Sequence, residues 1–197
     1  MAPVGHADSW CRTMTAMAAA TTPHLTTVAE LDCFREDDGP VYHELRQGEL
    51  VAVTRPKYRH YALQRRIRRL LENVAPVDGV ADTEFAYRAL PEHELRVADV
   101  AYVSGSREQA IDPADHLHGA PDITIEILSA SNTAAEIYDK EILCLQNRAN
   151  EFWVVDPDRR QVKVSTPDGQ TVTWRSGQEI PLSLFGEARL PVHAIFN

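Results

Sequence analysis

The sequence reads as an α/β or α+β domain with a mixed sheet covered by helices. Three observations carry that reading. Residues 56–73 hold a helical apolar stripe, 122–128 and 151–155 are β-branched runs of the buried-strand kind, and hairpin signals lie near both ends.

The elements follow in order. Residues 1–25 show no periodicity and are expected to be a flexible tail, in which Met14 or Met17 could be the natural start. From Thr27 to Arg35, Val28, Leu31 and Phe34 share a helical face, and Asp37, Asp38, Gly39 and Pro40 end it. Val41 to Val53 alternates and turns at Gln47-Gly48, which predicts a hairpin. Leu63, Ile67, Leu70 and Leu71 line the helix predicted over Pro56–Asn73. Strands are expected over Val80–Ala89 and Val97–Val103, then a polar loop over 104–120 with room for a helical turn. Asp122–Leu128 is a buried central strand. A helix follows to about Asn147, with Thr133 and Glu136 at capping-box spacing. Glu151–Val155 is a second buried strand, and Pro167-Asp168-Gly169 turns a hairpin between Gln161–Thr166 and Gln170–Trp174. Pro181 and Pro191 punctuate a last stretch of short strands or loops.

A chain of 197 residues with 44 % hydrophobic and 25 % charged residues can bury a core, which excludes a disordered or disulfide-built protein. Cys11, Cys33 and Cys144 are scattered, as expected in a reducing cytoplasm. No run is long and apolar enough for a membrane span, and the first residues do not read as a secretory signal. The net charge of −9 argues against a general nucleic-acid coat protein but permits an enzyme with a local basic patch.

Asp99 and Glu126 each place a carboxylate inside an otherwise apolar strand, RVADVAYV and APDITIEILS. A buried carboxylate is costly without a partner. Two on neighbouring strands could share a Mg²⁺ ion, or each could cap a strand end or pair with an arginine. Asp122 lies about 13 Å along the strand from Glu126, too far to share one ion, and belongs to the strand entrance. Lys140, on the next helix, either reaches the site that Asp99 and Glu126 share or is an exposed helix lysine. Carboxylates, metal and lysine together form a phosphodiester-cleaving constellation. His116 and His118, with Asp112 and Asp115, lack further ligands at zinc spacing and read as a polar loop. No nucleotide-binding glycine loop occurs, and Cys144 reads as a core residue.

The stretch IEILSASNTAAEIYDKEILCLQNRANEFWVVDP resembles the core of the Uma-type "putative restriction endonuclease" family, a branch of the PD-(D/E)xK nuclease superfamily. The matching features are Glu126, Leu128-Ser129, Lys140, Glu151-Phe152-Trp153 and Val155-Asp156-Pro157. Upstream, Glu44-Leu45, Gly48-Glu49-Leu50 and His60 match the family's opening hairpin and next helix, and RVADVAYV its first acidic strand. The resemblance spans roughly 27–195 and implies a restriction-endonuclease-like core within one domain, 26–197. It implies that Asp99 and Glu126 bind Mg²⁺, for which Mn²⁺ could substitute, and that Glu44 is an additional catalytic acid approaching the metal or its water from the hairpin side, unless it is a solvated strand residue. The superfamily's usual lysine position is Leu128 here, so the lysine has moved to Lys140. His60 is expected to meet a phosphate or Glu44, or to pack on the sheet. Ala98, Ala130 and Arg148-Ala149 depart from the family's usual residues without touching a proposed ligand.

Between Val51 and Leu71 there is no acid but seven cations, Arg55, Lys57, Arg59, Arg65, Arg66, Arg68 and Arg69. With the apolar stripe facing the core, Arg65, Arg66 and Arg69 lie on the other sides, as a backbone-tracking DNA contact or a solvated helix face. The expectation is a Mg²⁺-dependent endonuclease acting on DNA, most simply duplex, with RNA not separable and a homodimer suited to double-strand cutting. The alternative is a non-catalytic nucleic-acid-binding or protein-interaction domain on a retained nuclease fold.

Overall fold

The two β-branched runs form the middle of a seven-stranded sheet. The structure, a computed structural model, describes residues 24–33 and 41–197, with only the backbone of Asp32 and Cys33. The tail expected over 1–25 lies almost wholly outside these residues, as do Cys11, Phe34, Arg35 and the breaker at 37–40. The elements are α1 (Val28–Cys33), β1 (Val41–Arg46), β2 (Glu49–Thr54), α2 (Tyr58–Glu72), β3 (Val80–Arg88) and β4 (Arg96–Val103). Then come α3 (Gly105–Glu108), β5 (Leu117–His118), β6 (Ile123–Ile127), α4 (Ala134–Gln146) and β7 (Glu151–Asp156). The chain ends with β8 (Gln161–Ser165), β9 (Thr171–Arg175), β10 (Glu179–Pro181), a 3₁₀ turn at Ser183–Phe185, β11 (Arg189–Pro191) and α5 (Val192–Phe196).

The main sheet runs β5-β3-β4-β6-β7-β8-β9. β6 and β7 are parallel, joined by α4, whose Thr133–Glu136 capping box is formed. The flanking pairs β4·β6 and β7·β8 are antiparallel, so the sheet is mixed, as the sequence predicts. Ile67 and Leu71 of α2 pack on one face with Ile123, Ile125, Ile127, Trp153 and Val155, and α5 joins them. Ile137 and Cys144 of α4 pack on the other face with Tyr87, Phe152 and Val154. Helices thus cover both faces of a central sheet. Among the described residues no helix is long and apolar enough to cross a membrane.

The β1–β2 hairpin turns through Gln47 and Gly48 with φ of 50° and 80°, the left-handed pair of a tight hairpin turn. A Cβ on Gly48 would come within 2.7 Å of the Leu25 Cβ, so glycine is needed for space as well as for φ. The hairpin docks through backbone hydrogen bonds in both directions between Leu45 and Leu95.

One irregularity shapes the functional region. The β3·β4 ladder pairs Thr83 with Val100 and Phe85 with Ala98 but omits Glu84 and Asp99 between them. Glu84 has φ 52°, a left-handed value rare inside a strand. The inward faces invert there. Ala81 packs under α2 whereas Phe85 and Tyr87 pack toward α4, although all three are odd-numbered. β4 inverts at the same level, with Val100 and Tyr102 under α2 and Ala98 toward α4. Two short elements, β5 and α5, were not expected from the sequence.

Candidate functional site

β4 and β6 separate at one end. Their ladder runs from Tyr102·Ile123 to Val100·Ile125 and stops. Continued by one step, the register would place Asp99 opposite Glu126. The two acids therefore stand at the opening of a fork between adjacent strands. Asp99 bridges it directly, because its Oδ2 accepts the Ile127 N–H at 2.7 Å.

The fork is filled from both layers. From α2, His60 Nε2 lies 2.9 Å from Asp99 Oδ1, and Gln64 Nε2 donates to the same oxygen at 2.9 Å. The other hydrogen of the Gln64 amide is donated to Glu84. From α4, Lys140 donates to the Val97 carbonyl at 2.7 Å and stands 2.8 Å from Glu126 Oε1. Its ammonium is also 3.8 Å from Glu44 Oε1. Lys140 is thus buried among acids, not an exposed helix lysine. Glu44, on β1, accepts the Val97 N–H at 3.0 Å through Oε1 and holds the Arg46 guanidinium on Oε2 at 2.9 Å. Arg96 adds a second cation, 3.7 Å from that oxygen.

These contacts set the charges. Burial would raise the Glu44 carboxyl, but Lys140, the Val97 N–H, Arg46 and Arg96 outweigh it and hold it below the usual range. Burial pushes Glu126 up to about 7, with Asp99 and Glu44 adding to the rise and Lys140 offsetting it in part. Burial disfavours the charge on Lys140, yet Glu126 and Glu44 reverse this and raise it. One ammonium serves two carboxylates, so Lys140 stays charged and Glu126 is the group left near neutrality. For His60, burial opposes protonation, and Asp99, through hydrogen bond and charge, overrides it upward. Burial likewise raises Glu84.

The site therefore brings together Glu44, Asp99, Glu126 and Lys140, with His60 on Asp99 and not on Glu44. Sequence reasoning missed Gln64, Glu84, Arg46 and Arg96. Gln64 was detectable: it is a polar residue inside the apolar stripe, one turn from His60, and it is fully buried. The basic residues divide. Arg65 and Arg69 are exposed, whereas Arg66 turns to the Ile195 carbonyl at 3.4 Å and so helps to hold α5. Asp122 sits at the entrance of β6, bound by Ser104 and Arg107. His118 pairs with Asp115, which also holds Arg88.

Among the described residues, no three His, Cys, Asp or Glu side chains are close enough to hold a metal ion between them. The candidate is therefore a two-carboxylate site. That fits Mg²⁺, which takes oxygen ligands and keeps several waters. Glu126 Oε1 is buried and has the Lys140 ammonium at 2.8 Å as its charged partner. A buried acid and a half-buried one on adjacent strands, with burial pushing the first up to about 7, form an all-oxygen donor set that suits a small divalent cation.

The family model described as "Uma2: Putative restriction endonuclease" matches residues 28–193. No curated protein matches the chain. One similar solved structure is a crystal structure of "a putative nuclease belonging to DUF820" from Anabaena variabilis ATCC 29413. It is 24% identical, with a TM-score of 0.73, over 86% of this chain and 97% of that one, and at this identity the likeness shows the fold. The family match runs from the first turn of α1 into α5 and includes the whole fork, and the chain belongs to the Uma2 family.

Proposed function

We propose that the protein is a divalent-metal-dependent endonuclease that hydrolyses DNA phosphodiester bonds at the β4–β6 fork. The observation that supports this reading best is Lys140, an ammonium buried between Glu126 and Glu44 just beyond the end of the β4·β6 ladder at Val100·Ile125. Asp99 and Glu126 would bind the cation, Mg²⁺ or Mn²⁺ in its place. Bound there, it would polarise the scissile phosphate and lower the pKa of an attacking water.

The chain's own groups do the rest. Lys140 neutralises negative charge developing on the phosphate oxygens as the water oxygen bonds to phosphorus and the ester P–O bond breaks. Glu44 is a positioning residue: it keeps Lys140 charged and ties the hairpin to Val97. His60 and Gln64 fix the orientation of Asp99 through Oδ1. A homodimer in the cytoplasm would give the two sites that double-strand cutting needs.

The test is cleavage of supercoiled plasmid with Mg²⁺ or Mn²⁺ by wild type, Asp99→Ala and Lys140→Ala. Loss in both variants supports the assignment, and undiminished cleavage in both sinks it. A second reading, a nucleic-acid-binding domain without catalysis, draws on Leu128 at the usual lysine position and on Lys140 already holding the Val97 carbonyl. Calorimetry with Mn²⁺ separates the two. Uptake lost in Glu126→Ala favours the enzyme, and no uptake by wild type favours the binding domain.

A further inference from the structure

The exposed face of α2 combines two kinds of group to which the cleavage step at the fork gives no role. Tyr58, Tyr61, Arg65 and Arg69 are spaced by three, four and four residues, so they share one face of the helix. All four are exposed, Tyr58 to 81% and Tyr61 to 40%. The Arg65 guanidinium lies 5.6 Å from the centre of the Tyr61 ring, which continues the flat surface from aromatic to cation. Among the described residues no carboxylate pairs with Arg65 or Arg69, whereas Arg68 is shared between Glu72 and Asp82. The stripe extends for about 16 Å at the rise of an α-helix. Along the helix axis its tyrosine end is level with His60, which reaches Asp99 at 2.9 Å from the sheet-facing side of α2.

We propose that this stripe binds unpaired nucleotides, with Tyr58 and Tyr61 stacking on bases while Arg65 and Arg69 hold the adjoining phosphates. The substrate class is then nucleic acid with a single-stranded segment lying along α2, beside the layer that holds the fork. A face that only tracks a duplex backbone needs cations, and the stacked bases of a duplex offer no free ring face to a tyrosine. Unpaired bases do offer one, and aromatic platforms flanked by cations bind them with little sequence preference. Charge points the same way, since no acid occurs from Val51 to Leu71 in a chain of net charge −9. The proposal takes its role at the fork from the nuclease reading, but its binding step does not depend on cleavage.

The test is fluorescence anisotropy of the full chain in EDTA, where no metal-dependent cleavage interferes. The probes are labelled oligothymidylate, oligouridylate of equal length and the matching DNA duplex. Oligothymidylate should bind about tenfold or more tighter than duplex, and Tyr58→Ala with Tyr61→Ala should weaken it about tenfold or more for each stacked base. Tryptophan at both positions should restore binding, which lost charge or altered folding would not explain. Arg65→Gln and Arg69→Gln should each lower the salt slope by about 0.7. Equal binding of oligouridylate supports unpaired bases as the ligand, without selection by the sugar. Duplex bound as tightly as single strand, or single-strand affinity unmoved by the tyrosine substitutions, overturns the proposal. Either result leaves the plasmid assay of the fork standing on its own.

Discussion

Replacing Lys140 by methionine keeps the stem and removes the ammonium. The loss falls on a side chain that holds the Val97 carbonyl at 2.7 Å and stands 2.8 Å from Glu126 and 3.8 Å from Glu44. Removing one partner of a buried pair costs about 3–5 kcal/mol when the other stays charged. Glu44 keeps Arg46 and the Val97 N–H, and Glu126, already at about 7, can take up a proton. The expected cost at pH 7 is therefore at the lower end, about 3 kcal/mol, or about 6–12 °C in Tm for a chain of this size. Glu126→Gln alone should cost less than Lys140→Met, about 1 kcal/mol, because the amide oxygen can still accept from the Lys140 ammonium, which keeps Glu44 and the Val97 carbonyl. The double variant should then recover about 1–2 kcal/mol relative to the sum of the single changes. Urea and thermal unfolding in EDTA measure all three. Additivity to within about 0.5 kcal/mol would refute the claim that Lys140 and Glu126 form the coupled pair on which the site depends.

Further outcomes follow from the same contacts. Glu126 is raised from 4.5 to about 7, so the folded protein retains a proton that the unfolded chain has lost. Without metal, this group's contribution makes stability fall as pH rises through that window, and urea titrations of wild type against Glu126→Gln should show the variant's profile flatter. Glu44→Ala leaves the Val97 N–H unpaired, while Arg46 keeps Glu136 and Lys140 keeps Glu126, and should cost about 1–3 kcal/mol by urea unfolding, with Glu44→Gln milder because an amide oxygen can still accept from Val97. Thr133→Ala removes the cap of α4 and should cost about 1 kcal/mol, or about 2–4 °C by calorimetry. Chelation with EDTA should stop plasmid cleavage, and added Mn²⁺ should restore it in wild type but not in Asp99→Ala.

The main elements were legible because their signals are local. The apolar stripe of α2, the alternation of the first hairpin and the capping box of α4 each follow from neighbouring residues. β5 has two residues and α5 five, too few for a period to register. The inversion at Glu84 was not legible, since nothing in VADTEFAYR marks a left-handed residue without glycine. Asp99, Glu126 and Lys140 could be named from an acid in each apolar strand and a lysine on the following helix. That they meet at a fork depends on where the β4·β6 ladder ends, which is a tertiary fact. The contact of Arg66 was not legible for the same reason: its acceptor is the Ile195 carbonyl, 129 residues away.

The parting of β4 from β6 leaves one residue with an unusual pair of backbone partners. Val97 gives its N–H to Glu44 and its carbonyl to Lys140, two side chains where a strand would otherwise supply both partners. Its amide resonance should therefore report the ionic state of the fork from the backbone. Deuterium uptake at Val97 should be slow while both groups are docked and should accelerate when either is displaced. A single cross-peak would thus follow the loading of the site without any substrate being turned over.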